Sequence, residues 1–126
     1  MKRLHTRRLV TITGVLTGLT VIHDLDHLRQ GRGLPPVLYL VAVAALLSLA
    51  LTLNTLLSHS SFARPVAVGQ GMLTVVGVAA VHALPQWTHL ADSYSAAHAD
   101  AFSWAIIVAM MVLGLVLAVV GFTSKT

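Results

Sequence analysis

Ionisable side chains are concentrated in one short stretch of this sequence, His23-Asp24-Leu25-Asp26-His27, at the end of a long apolar run. Two carboxylates and two imidazoles fall within five consecutive positions, although the whole chain has only four acidic residues. Such groups are costly to place at a membrane boundary, so their presence there indicates a function.

Helical geometry makes this stretch a candidate metal site. His23 and His27 are four residues apart and would share one helix face, with Asp24 and Asp26 each three residues from one of them. Two histidines at this spacing form a common half-site for a divalent first-row metal, and a neighbouring aspartate can ligate the ion or orient an imidazole. The alternative is a solvated helix end whose aspartates pair with nearby arginines.

A second polar group follows a later apolar segment. His82 lies inside that segment, three residues before Pro85, and His89 and Asp92 would share a face in a helical turn. The loop from 86 to 99 also contains Trp87 and Tyr94, which are typical of an interfacial segment. A polar surface loop with tolerated histidines is the alternative. The predicted ligands, from both groups together, are His23, Asp24, Asp26, His27, His82, His89 and Asp92.

Nitrogen and oxygen ligands suit Zn(II), Cu(II), Ni(II), Co(II) or Fe(II). The chain contains no cysteine, which excludes disulfides, iron–sulfur clusters and thiolate metal sites. Any transition-metal ion bound here must therefore use histidine, aspartate, methionine or backbone ligands.

The stretch His23-Asp24-Leu25-Asp26-His27-Leu28 is similar to the histidine/aspartate signature of the nickel/cobalt permeases and the related hydrogenase/urease accessory permeases. Those families carry an Asp-His pair preceded by a histidine in an early transmembrane helix, and the motif implies metal binding on the transport path. The His-x-x-Asp-His spacing here is shorter than their His-x-x-x-x-Asp-His. The resemblance implies metal binding at Asp26 and His27.

Composition places the chain among integral membrane proteins, because 56% of its residues are hydrophobic and only 10% are charged, against about 25% in soluble domains. Four segments approach the roughly 20 apolar residues that a helix needs to cross a bilayer. We predict one all-α domain over residues 1–126, a four-helix transmembrane bundle with helices at about 9–28, 37–57, 66–84 and 101–122. Small residues at Gly14, Gly18, Gly114 and Gly121 predict close contacts within the bundle.

Basic residues predict the orientation of the bundle, because they are enriched on the cytoplasmic side. Six of the eight Lys and Arg residues lie at the two termini and in the second loop, which predicts that both termini are cytoplasmic. The His/Asp stretch then lies at the outer end. No small-x-small cleavage motif follows the first apolar run, so we expect that the first helix is retained. The chain would then be a multi-pass protein of the cell membrane, which in a bacterium is the inner membrane.

The leading hypothesis is an outward-facing transition-metal site for metal binding, uptake or delivery. Its partners would be the lipid bilayer, the metal ion, and further copies of the chain or a larger membrane complex. Nucleic acid is not expected, because the basic residues flank apolar spans.

Three alternatives stay open. His23 and His82, at similar depth on parallel helices, could ligate a haem b for electron transfer. The chain could be an accessory subunit that uses the cluster as a proton relay or docking contact. An enzymatic role is less favoured and would need Asp24 or Asp92 as a general base beside the metal.

Overall fold

The computed structural model describes residues 2–31, 35–88 and 91–124, with side chains described from residue 6 onwards. Within these residues the protein is all-helical, as predicted. The helices are α1 (Lys2–Arg29), α2 (Pro36–Leu57), α3 (Ala63–Val78) and α4 (Ala101–Thr123), and a π-helical turn (Ala79–Ala83) continues α3. All four, taking α3 with its turn, are long and apolar enough to cross a membrane. The protein is therefore a multi-pass membrane protein.

Two helices start earlier than predicted. α1 begins at Lys2 rather than near residue 9, because lysine and arginine are good helix formers and extend the helix beyond its apolar part. α3 begins at Ala63, and Pro65 lies within its first turn rather than before it. Proline is tolerated there because the backbone N–H groups of a first turn have no acceptor within the helix.

The four helices form a ring in which each packs against its neighbours in the chain, and α4 also packs against α1. α1 and α3 are therefore diagonally opposite and run in the same direction. Side chains near their C-terminal ends can meet at one end of the bundle. Large apolar side chains cover the outside, as expected for contact with lipid; they include Leu40, Leu47, Leu51, Phe62, Val112 and Phe122.

The tightest helix contact joins α3 to α4 through glycines. A Cβ atom on Gly71 would overlap the carbonyl of Gly114, and one on Gly121 would lie 3.0 Å from the side chain of Val68. The close contacts predicted at Gly114 and Gly121 are thus present. Those predicted at Gly14 and Gly18 are not, because a Cβ at either position would meet no atom within 4 Å. These two glycines face outward from α1.

Candidate metal centre

Three histidines from the two diagonal helices converge at one end of the bundle. His23 and His27 come from α1 and His82 from the π-helical turn, and each is buried, with 7%, 4% and 7% of its surface exposed. One ring nitrogen from each lies within 4.8 Å of the others, the one such cluster among the described residues. The sequence predicted all three as ligands, and packing brings them together.

The separation within the α1 pair suits chelation. The Nε2 atoms of His23 and His27 are 3.3 Å apart. Two nitrogens bound to a tetrahedral zinc ion at 2.0–2.1 Å would be about 3.3–3.4 Å apart. An ion could therefore bind both imidazoles with little rearrangement of α1.

The inward face of α1 positions this pair. Its buried residues recur at alternating steps of four and three, so the histidines extend a stripe that faces the bundle axis. The hydroxyl groups of the threonines in the stripe are hydrogen-bonded within the helix. Thr13 and Thr20 donate to the backbone carbonyls of the residues four positions earlier. The stripe consists of Leu9, Thr13, Leu16, Thr20, His23 and His27.

The end of α3 positions His82 and a returning loop. Pro85 has no N–H, so the carbonyl of Val81 lacks its usual helical donor. The N–H of Asp92 donates to that carbonyl at 2.8 Å, and the N–H of Tyr94 donates to the carbonyl of His82 at 3.0 Å. The chain after the helix is thereby folded back against the three histidines. π-Helical turns, in which the backbone hydrogen bonds differ from those of an α-helix, are frequent at functional sites.

The remaining ring nitrogens face oxygen atoms. His82 Nδ1 lies 3.1 Å from the backbone carbonyl oxygen of Asp92, which can only accept a hydrogen bond, so Nδ1 carries the proton and Nε2 is available to an ion. The Asp92 carboxylate lies 3.6 Å from His27 Nδ1 and 3.7 Å from His82 Nδ1. Tyr94 Oη lies 3.3 Å from His23 Nδ1. Metal-bound histidines almost always have their second nitrogen held in this way.

Tyr94 is a component that the sequence reasoning missed. Trp87 is exposed, as an interfacial residue would be, whereas Tyr94 is fully buried. Its ring centroid lies 4.7 Å from that of His82 and 5.9 Å from that of Trp104 on α4. One feature of the sequence could have indicated its role: Tyr94 lies two residues after Asp92, on the segment that is hydrogen-bonded to the end of the third span.

Asp26 is close to the histidines in sequence but its carboxylate points elsewhere. Arg29 Nε donates to it at 2.7 Å, Gln30 Nε2 at 2.6 Å and Ser103 Oγ at 2.6 Å. Adjacent residues on an α-helix point about 100° apart, so Asp26 faces α4 while His27 faces the bundle axis. The structure therefore does not bring Asp26 into the three-histidine cluster. It joins α1 to α4 instead.

Asp100 completes this connection. It caps the N-terminus of α4 by accepting the Ser103 N–H, and it accepts a hydrogen bond from Arg29 at 2.8 Å. The Ser103 N–H and the Arg29 guanidinium lower the pKa of Asp100 from its usual value to about 2. Because the folded-state pKa is depressed, the stabilisation is present above about pH 4 and is lost as pH falls towards 2. The connection between α1 and α4 thus persists at neutral pH.

The other predicted ligands have different positions. Asp24 is half-buried and lines a cavity beside the cluster. Asp92 contacts two of the histidines, as described above. His89 lies outside the described residues.

The cavity has a volume of about 460 Å³ and lies between α1, α2 and α3. The three histidines line one end of it. Its other walls are mainly apolar and include Leu38, Val41, Leu49, Leu73 and Val78. A metal ion held by three imidazoles would therefore have a fourth coordination position next to this space, open to water or another ligand.

Comparison with known proteins identifies no relative: no family model, no curated protein and no solved structure matches this chain. The interpretation of the site therefore rests on its geometry. Three buried nitrogen donors, each with its other nitrogen facing an oxygen atom, can bind a divalent ion and leave it able to exchange one ligand.

Proposed function

We propose that the protein binds one transition-metal ion between His23, His27 and His82 and serves in the uptake or delivery of that ion at the membrane. The observation that carries the proposal is the arrangement of the second ring nitrogens. The backbone carbonyl of Asp92 bonds that of His82 at 3.1 Å, Tyr94 Oη lies 3.3 Å from that of His23, and the Asp92 carboxylate faces that of His27 at 3.6 Å. One ring nitrogen of each histidine then lies within 4.8 Å of the others.

The donor set favours a particular group of ions. Three imidazoles without thiolate suit Zn(II), Co(II), Ni(II), Cu(II) or Fe(II). The 3.3 Å separation between the α1 nitrogens matches tetrahedral coordination better than the roughly 3.0 Å expected between adjacent ligands of an octahedral ion at 2.1 Å. We therefore propose Zn(II) or Co(II) as the best-fitting ions.

An uptake or delivery role agrees with three protein ligands rather than four. Structural zinc sites are usually closed by four protein ligands, whereas an open position permits ligand exchange. Within the stretch that resembles the nickel/cobalt permeases, His23 and His27 lie in the cluster and Asp26 does not, so the resemblance supports this role through the histidines alone. The predicted orientation would open the site to the outside, and association with further copies or a larger complex remains a prediction.

The haem alternative has less support. The ring centroids of His23 and His82 are 4.7 Å apart, and the rings meet edge to face. Two imidazoles on opposite sides of one iron, each with its nitrogen about 2 Å from the metal, would have centroids roughly 6 Å apart with the macrocycle between them. A haem would require the two helices to separate.

Cobalt provides a direct test, because tetrahedral Co(II) gives intense visible absorption bands and octahedral Co(II) gives weak ones. The protein would be purified, stripped with a chelator and titrated with Co(II), and Zn(II) would then be added in competition. We expect one tetrahedral Co(II) per chain, displaced by Zn(II). His82→Ala should abolish this signal, whereas His98→Asn should retain it, because His98 is exposed and asparagine tolerates its positive φ of 51°.

Absence of stoichiometric cobalt, or an identical cobalt spectrum in His82→Ala, would overturn the three-histidine site. A second measurement separates uptake from delivery. The protein would be reconstituted in vesicles that enclose a zinc-sensitive dye. Zinc entry that depends on His82 indicates uptake, and zinc binding without entry indicates delivery to a partner.

A further inference from the structure

We propose that the cavity beside the histidines binds a lipid-like molecule with a single hydrocarbon chain and a neutral hydroxyl or carbonyl head. The oxygen of that head would occupy the open coordination position of the metal. This inference rests on the proposed function and adds a ligand class to the same site. Three features of the cavity support this inference: its shape and mainly apolar walls, the hydrogen bonds among the polar groups far from the histidines, and the charges around the histidines.

The dimensions of the cavity suit a small amphipathic ligand. Its volume of about 460 Å³ lies within the range of pockets that bind small molecules, and such pockets are mostly apolar with a few polar groups. Along α3 its lining extends from Gln70 to His82, twelve residues or about 18 Å of helix. An elongated apolar space of this kind fits a hydrocarbon chain better than a compact hydrophilic molecule.

The polar groups at the far end of the cavity are already bonded to one another. Thr52 Oγ1, just outside the lining, lies 3.3 Å from the Gln70 side-chain oxygen, and Gln70 Nε2 donates to Thr74 Oγ1 at 3.4 Å. Thr74 in turn donates to the Gln70 carbonyl at 3.0 Å. The histidine end therefore offers the strongest attraction for a polar head, and it would orient the chain towards Gln70.

The charges around the site favour a neutral head. An ion with two positive charges, held by neutral imidazoles, would share this end of the cavity with two aspartates. Asp92 is within 3.7 Å of His27 and His82, and Asp24 lines the cavity. These two charges balance the ion. An anionic head would add an uncompensated charge in a poorly hydrated space, which is costly.

Gly77 allows the cavity to be filled without disturbing the bundle. It lines the cavity, and a Cβ atom there would meet no atom within 4 Å. Gly77→Leu would put an apolar side chain into the open space and would also favour the helix. Gly69→Leu is the matched control, because Gly69 is an exposed position on the same helix with equally open surroundings and is outside the cavity lining.

The test uses the full chain in phosphatidylcholine nanodiscs, with and without Co(II). Radiolabelled tetradecanol and tetradecanoate serve as probes of equal chain length, and retention of each is measured beside the cobalt spectrum. We expect tetradecanol to bind the cobalt-loaded protein, to shift the cobalt bands, and to bind about tenfold more tightly than tetradecanoate. A leucine side chain displaces several methylene groups of the chain, so Gly77→Leu should weaken retention about 100-fold and Gly69→Leu should not.

Any of three results would overturn the inference. One is equal tetradecanol retention by Gly77→Leu, Gly69→Leu and the unmodified protein, which would indicate partition into the bilayer only. The others are retention without any change in the cobalt bands, and equal retention of alcohol and carboxylate. Failure of the proposed function is distinct, because it appears as no cobalt binding in the absence of any chain molecule.

Discussion

Replacing Asp92 by asparagine should weaken metal binding without dismantling the site. The carboxylate lies 3.6 Å from His27 Nδ1 and 3.7 Å from His82 Nδ1. Asparagine has nearly the same size and keeps the backbone carbonyl that orients His82 at 3.1 Å. The substitution therefore removes one negative charge facing two imidazoles and leaves the loop geometry in place.

The size of the effect follows from the distances. An ion on the far side of the imidazole rings would lie roughly 7 Å from the Asp92 carboxylate, given metal–nitrogen bonds of about 2 Å. Attraction between a single negative charge and a divalent ion at that distance is about 1.2 kcal/mol in water and about 5 kcal/mol at an effective dielectric constant of 20. Loss of such an outer partner typically lowers metal affinity 10–100-fold. We expect a reduction of about 30-fold, or about 2 kcal/mol.

Competition between Co(II) and a chelator of known affinity would measure this reduction at fixed pH. Asp100→Asn is the matched control, because Asp100 is a carboxylate at the same end of the bundle but is bound to Arg29 and Ser103. The reasoning would be refuted if Asp92→Asn kept the affinity of the unmodified protein, or if both substitutions lowered it equally. Circular dichroism of each variant would verify that the helices remain.

Three further predictions concern the site and the orientation of the bundle. Substituting alanine for His23, for His82, or for both should reduce metal affinity almost equally, because ligands of one ion act as a unit; additive losses in this double-mutant cycle would indicate separate sites. A cysteine at exposed Ala96 should be labelled from outside the cell and one at exposed Ser61 only from the cytoplasm, and the reverse pattern would invert the orientation. Metal affinity should fall as the solution is acidified, because protons compete for the imidazole nitrogen; affinity unchanged down to about pH 2 would argue against histidine ligation.

The four spans could be predicted from the sequence because crossing a bilayer is a local requirement. Each span needs about 20 apolar residues, and this shows directly in composition. The proximity of His23 and His27 could also be predicted from the sequence, because residues four apart on one helix are neighbours whatever surrounds them. Pro85 likewise indicated the end of the third span, just after the π-helical turn that contains His82.

Tertiary packing decided how these parts meet. His82 reaches the α1 pair because α1 and α3 are diagonal in the ring, and no spacing along the chain encodes that arrangement. Asp26 shares its stretch with two histidines, yet its side chain turns to Ser103 on α4 because adjacent helical residues point in different directions. Tyr94 is buried beside His82 because backbone bonds fold its loop back. The sequence by itself therefore determined the spans and the chemical types of the candidate ligands, whereas contacts between distant segments decided which side chains share the site.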